Sequence, residues 1–233
     1  MEPEFVWELT TPIKNCPLCG KDEIVQSFTV FKFEFVVCEC GMIYMEKYMT
    51  QEQINNYYKS EYRKYCYPYT DEVTDHDLLG ETKKGERYRV FTNCVSPKKH
   101  LDIGSSTGTF LKLMNESHGC DSIGVEPLDK FREYSNKQGI YTVADLSEVE
   151  GKYDFISLGH VLEHLLDPLE LLGDIHNLLE DDGHLFVEVP RSSAVYSHPL
   201  MFIEKTLENM LIKAEYKVEE LIYYEHIMAM ATH

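Results

Sequence analysis

The sequence predicts an α/β protein with a doubly wound, mostly parallel sheet of seven strands, led by a small metal-binding module. Three observations predict it. From His100 onward short apolar runs alternate with segments of helical period, the last two runs lie too close together for a helix between them, and two tight cysteine pairs stand near the start.

The apolar runs at about 100–103, 121–126, 141–143, 153–158 and 184–189 are strand-length and end in Gly, acidic or Pro residues. Helical segments lie between them. Leu128 and Phe131 open one that Gly139 closes, Leu169, Leu172, Ile175 and Leu179 mark another closed by Gly183, and Leu200, Ile203, Leu207, Met210, Leu211 and Ala214 give a third. Alternation of this kind builds a parallel sheet with helices on both faces. The runs at 217–224 and 227–231 have no helix between them, so they should pair antiparallel at one sheet edge. Composition shifts near residue 75, dividing a Cys-, Tyr- and Phe-rich module with its tyrosine-rich connection (1–75) from the α/β domain (76–233).

Cys16-Pro-Leu-Cys19-Gly is followed, 18 residues on, by Cys38-Glu-Cys40-Gly. Four thiolates complete a tetrahedral zinc shell and leave no open position, the pattern of a structural site. The competing reading is four ordinary buried thiols. A redox pair is disfavoured because no βαβ pattern surrounds Cys16. Phe28, Phe31, Phe33, Phe35 and Val37 alternate like a strand leading into the second pair, and Cys66, Cys94 and Cys120 stand alone as packed residues.

The chain has 233 residues and a formal net charge of −18, which repels a polyanion unless a local basic patch overrides the field. Nucleic acid is therefore a disfavoured partner. Lys83, Lys84, Arg87, Arg89, Lys98 and Lys99 form the dense basic stretch, read as a solvated face or as a site for a phosphate-bearing small substrate. No secretory signal or membrane anchor is visible in the sequence, and cytoplasmic placement without membrane association is the expectation. Oligomeric state is not encoded in any readable form.

LDIGSSTGTFL, 101 to 111, reads as a strand, a glycine turn and a helix start, where a ligand can approach backbone closely. Its G-x-x-x-G spacing (Gly104, Gly108) differs from the pyrophosphate fingerprint of nicotinamide enzymes and lacks the G-K-[ST] of triphosphate loops, so a phosphate-free ligand fits better. Glu126, in IGVEP (123 to 127), stands at a strand end about 20 residues after the turn, where a carboxylate can accept two ribose hydroxyls. Asp145, in YTVADL (141 to 146), is placed to accept from an adenine amino group, or simply caps the next segment.

These residues resemble the class I S-adenosylmethionine-dependent methyltransferases, a Rossmann-like family, whose motifs follow in order from about residue 99 to 190. The resemblance implies that Asp102, Gly104, Ser105, Ser106 and Gly108 contour the methionine side of the cofactor, that Glu126 with Pro127 holds the ribose, and that Asp145 with Leu146 borders the adenine. YDFISLGHVLEHLLDP (153 to 168, with Gly159 at the strand end) looks like the family's fourth-strand motif and GHLFVEVP (183 to 190) like its fifth strand. The cysteine segment followed by tyrosines, QINNYYKSEY (53 to 62), is similar to methyltransferases with an N-terminal zinc-binding domain found in deoxysugar and surface-polysaccharide pathways. That group's sugar C-methyltransferases carry a further C-terminal domain, whereas this sequence runs to His233, which implies O- or N-transfer to a sugar, a nucleotide-sugar-like molecule or another small-molecule acceptor.

An acceptor hydroxyl must lose its proton as the methyl arrives, which calls for a base at the carboxyl edge of the sheet. His160, directly after the fourth strand, is the candidate; the alternative is that His160, Glu163 and His164 orient the loop and cap the next helix. Tyr196 and His198 are further candidates. Tyr57, Tyr58 and Tyr62 are read as a lid or as inter-domain packing, and Asp174, His176 and the acidic run Glu180 to Asp182 as a solvated helix end. RNA methylation and a non-catalytic interaction protein on the same fold are the competing functions.

Overall fold

A computed structural model describes residues 9–50, 53, 54, 57, 72–92, 95–193 and 197–233. Tyr58, Tyr62, Tyr196, Cys66 and Cys94 lie outside them, as does the side chain of Arg89. The main sheet has seven strands. They are β6 (Lys99–Ile103), β7 (Asp121–Val125), β8 (Thr142–Val143), β9 (Tyr153–Gly159), β10 (Leu179–Pro190), β12 (Lys217–Tyr223) and β13 (His226–Thr232), in the order β12-β13-β10-β9-β6-β7-β8. Pairings from β10 through β9, β6 and β7 to β8 are parallel, and β13 runs antiparallel to both β10 and β12. The reversed pair at one edge is the expected arrangement. Parallel strands need covering on both faces, and Leu101, Phe155, Ile156, Leu158, Leu185, Phe186 and Val189 are accordingly buried almost completely.

The helices are α1 (Asp75–Thr92), α2 (Thr109–His118), α3 (Asp129–Lys137), α4 (Pro168–Leu178) and α5 (Glu204–Lys213). Helix α1 lies where only a basic stretch was read. It opens on a reciprocal cap, Asp77 Oδ2 accepting from the Thr74 backbone N–H at 2.9 Å while the Asp77 N–H donates to Thr74 Oγ1 at 3.2 Å. Arg87 on this helix is turned inward to a buried acid, so at that position the stretch is not a solvated face. The helix expected to close at Gly183 ends five residues sooner, at Leu178. Glu180 to Asp182 instead form an irregularity at the start of β10, between Leu179 and His184. A third difference lies at Leu200 and Met201. They form strand β11, pairing with Tyr44 and Ile43, and the helix starts only at Glu204.

A smaller antiparallel sheet has the order β11-β4-β3-β2, with β2 (Ile24–Val30), β3 (Phe33–Cys38) and β4 (Ile43–Met45). The phenylalanine-rich stretch is thus a hairpin, not one strand: Val30 pairs with Phe33 and the chain turns at Phe31 and Lys32. Strands β1 (Thr11–Pro12) and β5 (Lys47–Tyr48) form a separate two-stranded ladder. Cys16, Leu18, Val36, Met42 and Tyr44 share one apolar core with Leu200, Phe202, Leu207 and Met210, which ties the cysteine segment to α5. Tyr57 packs in a neighbouring cluster with Phe35, Tyr48 and Met201. Among the described residues no helix is long and apolar enough to cross a membrane.

Candidate functional site

The carboxyl end of β6 leads into a loop whose shape only particular residues allow. Gly104 and Gly108 both have φ +74°, and an added Cβ would meet Val161 at Gly104 and the Ser135 hydroxyl at Gly108. Ser106 holds φ 51° without being glycine, a left-handed conformation found where tertiary contacts overrule local preference. The contact here is with Glu126, at the end of β7. Its Oε2 accepts from the Ser106 N–H at 2.9 Å and its Oε1 from the Leu128 N–H at 2.8 Å. Glu126 is 8% exposed, and a carboxylate oxygen can accept from more than one donor. Ser105 Oγ and Ser106 Oγ are buried without hydrogen-bond partners, so the loop keeps two hydroxyls for a ligand.

Under the loop runs a buried polar chain that the sequence reading missed. Ser157 Oγ donates to Asp102 Oδ1 at 2.6 Å and lies 2.8 Å from His100 Nε2, which therefore carries its proton on that nitrogen. Burial holds His100 down at about 3 and pushes the Asp102 carboxyl up to about 7. Asp145 follows β8 and caps a short turn: its Oδ1 accepts from the Ser147 N–H at 2.9 Å, while Glu148 accepts from the Asp145 N–H at 3.0 Å. The capping alternative is therefore realised, with Leu146 the first residue of that turn.

At the end of β9, Gly159 is required because an added Cβ would overlap the ring of Tyr88. His160 then adopts φ 59°, its N–H donating to the Glu188 carbonyl at 2.9 Å. Its Nδ1 lies 3.1 Å from Glu163 Oε1 and its Nε2 3.6 Å from Glu188 Oε2. Both acids are fully buried. Burial would raise Glu163, but the His160 hydrogen bond and the neighbouring His164 bring it to about 2. Glu188 is likewise below the usual carboxylate range, burial being outweighed by Arg87. Glu188 and His226 were not singled out from the sequence, and Arg87 was read only as part of the basic stretch; GHLFVEVP reads as an ordinary strand, and the partners come from three distant segments. His164 does not cap the next helix, because Asp167 does, accepting from the Glu170 N–H at 3.1 Å. His164 instead faces His198, ring centroids 4.7 Å apart.

The four cysteines converge. Cys16 and Cys40 sulfurs are 3.5 Å apart, as are those of Cys19 and Cys38, and all four lie within 4.8 Å of one another. Zn–S bonds of about 2.3 Å give tetrahedral S···S edges of about 3.8 Å, so the set suits zinc. The Cys-x-Cys pair makes a turn one residue tighter than Cys-x-x-Cys: the Gly20 N–H donates to the Cys16 carbonyl four residues back and the Gly41 N–H to the Cys38 carbonyl three back, both at 2.8 Å. Far from these sites a cavity of about 540 Å³ opens at the amino ends of the strands, where Lys98, Lys99 and Lys152 alternate with Asp154, Glu180 and Asp182. Its mixed charge does not make a phosphate site.

The strand order, with the glycine loop at the end of β6, defines a class I methyltransferase fold. The model of the methyltransferase domain family matches residues 79–228, and the chain belongs to that family. It is 29% identical over 146 residues to a ubiquinone biosynthesis O-methyltransferase of Actinobacillus pleuropneumoniae, covering 56% of this chain and 62% of the relative. It is 28% identical over 154 residues to a tRNA U34 carboxymethyltransferase of Campylobacter jejuni, covering 61% of this chain and 49% of the relative. The chain thus spans less than two thirds of these relatives' own length. Magnesium protoporphyrin IX methyltransferase of Synechocystis, solved with S-adenosylhomocysteine, shares the fold at TM-score 0.59 and 12% identity, covering 78% of this chain and 99% of that one.

Proposed function

We propose that the protein transfers a methyl group from S-adenosylmethionine to a hydroxyl, or an amine, of a small molecule, with a structural zinc ion in residues 1–75 and the transfer site in 76–233. The observation that carries this is the Ser106–Glu126 hydrogen bond, which joins the glycine loop and the neighbouring strand end into one phosphate-free cradle. Asp102, Gly104, Ser105, Ser106 and Gly108 would contour the methionine end, Glu126 beside Pro127 would hold the ribose hydroxyls, and Asp145 and Leu146 would border the adenine. Cys16, Cys19, Cys38 and Cys40 would hold the zinc, closing the shell without an open position.

When bound, the cofactor supplies an electrophilic methyl on a sulfonium that is already a good leaving group. The chain's own work is to hold the acceptor in line and take its proton. Glu163 engages Nδ1 of His160, leaving Nε2 as the proton acceptor, and the nearby Glu163 and Glu188 carboxylates stabilise the imidazolium that forms. Gly159 lets Tyr88 pack beneath this histidine. With a hydroxyl acceptor identified by S-adenosylhomocysteine release, His160→Ala should lower kcat by about 10² to 10⁴ while S-adenosylhomocysteine affinity stays within a few-fold. Unchanged methyl transfer rejects His160 as base.

The carbohydrate acceptor rests on the sequence resemblance alone, since none of the similar proteins named above is a sugar enzyme. The tRNA enzyme favours an RNA reading, against which stands the charge of −18. Salt-sensitive tRNA binding by the purified chain would restore it.

A further inference from the structure

Beside His160 lies a second set of side chains, of which the transfer reaction uses only Glu163, through Oε1. Glu163 and His164 stand in the turn after β9 and His198 in the loop after β10, with one ligand atom of each within 4.8 Å of the others. His164 Nδ1 is 2.9 Å from the Ser197 carbonyl and His198 Nδ1 is 3.3 Å from the Ser193 carbonyl. A carbonyl only accepts, so both rings carry their proton on Nδ1 and their lone pair on Nε2, which in His164 lies 3.8 Å from Glu163 Oε1. Fixing a ring through a backbone carbonyl is the usual outer support of a metal-bound histidine.

The second observation is Glu163 Oε2. The residue is 1% exposed, and this oxygen is buried with no hydrogen-bond partner, while Oε1 meets His160 Nδ1. A buried carboxylate oxygen left unmatched is rare and points to a missing cation. The neighbouring His160, Glu188 and His226 group is different: Glu188 already has a cation, because Arg87 Nε and Nη2 occupy its two oxygens.

We propose that Glu163, His164 and His198 bind one divalent transition-metal ion, zinc or manganese by donor type. Two imidazoles and one carboxylate leave coordination positions open, unlike the four-cysteine site. Those positions lie at the same strand ends as His160, so the ion would take an oxygen of the acceptor and make its hydroxyl more acidic; that consequence, though not the binding, rests on the methyltransferase reading.

The test is the zinc content of the full chain after equilibration with zinc and removal of the unbound ion. His198→Ala and Glu163→Ala should each hold one equivalent less than the unaltered protein, with S-adenosylhomocysteine binding by calorimetry as the check on folding. Equal zinc in all three, with that binding retained, overturns the proposal. Should both variants unfold, the unaltered chain decides: zinc added after the cysteine site is filled must show a second binding event at one per chain, and its absence also overturns the proposal. If the unaltered chain ignores S-adenosylhomocysteine yet shows the second zinc event, the metal site stands and the methyltransferase reading falls.

Discussion

Arg87 and Glu188 form a two-pronged ion pair, Nε to Oε1 at 2.8 Å and Nη2 to Oε2 at 3.1 Å, that fastens helix α1 to the carboxyl end of β10. Glu188 is wholly buried, whereas the Arg87 side chain keeps 34% exposure. Removing the arginine strands a charge in the sheet, the costly way to break a buried pair. Arg87→Met should destabilise the fold by about 2 to 3 kcal/mol in urea titrations, and Glu188→Gln added to it should recover part of the loss. Arg87→Met with unaltered stability would show the pair to be ornamental.

Asp102 yields a pH prediction. Its folded value of about 7 lies above the ordinary 3.8, so the unfolded chain ionises first and Asp102 withdraws stability as pH rises from about 4 to about 7. Asp102→Asn should flatten that loss. The α-ammonium that S-adenosylmethionine shares with S-adenosylhomocysteine, held beside Asp102, would favour the carboxylate form. Binding of S-adenosylhomocysteine should then release about half a proton at pH 7 and none at pH 9, read by calorimetry in buffers of different ionisation enthalpy.

Much of this geometry was legible beforehand, and the reasons differ by element. Strands β6, β9 and β10 are buried on both faces, so Leu101, Phe155 to Leu158 and Leu185 to Val189 form apolar runs interrupted only by the buried Ser157 and Glu188. Glu126 was found because its distance from the glycine loop is set by one strand–helix–strand unit. Helix α1 was missed because its sequence is mostly polar and its anchors are remote: Arg87 reaches Glu188, and Tyr88 fills the space over Gly159. Only the Thr74 and Asp77 cap is a local sign. Leu200 fell at helical spacing with Ile203 and Leu207 by coincidence, and the strand it forms with Met201 exists only because β4, over 150 residues earlier, offers an edge. The Glu163, His164 and His198 group depends on a loop meeting a turn, which no spacing within one segment reveals.

The cysteine site makes a separate prediction. Cys16→Ser or Cys38→Ser should remove one zinc equivalent and lower Tm by about 5 °C or more, since bound metal stabilises only the folded state. The same zinc content before and after substitution would leave four packed thiols as the better description.

The central claim is the cradle formed by Ser106 and Glu126, and calorimetric titration of S-adenosylhomocysteine into the full chain tests it most directly. One site per chain in the micromolar range is predicted, weakened about 10- to 100-fold by Glu126→Ala through lost hydrogen bonds to a charged group. No binding heat at millimolar ligand, or equal affinity in Glu126→Ala, would contradict it.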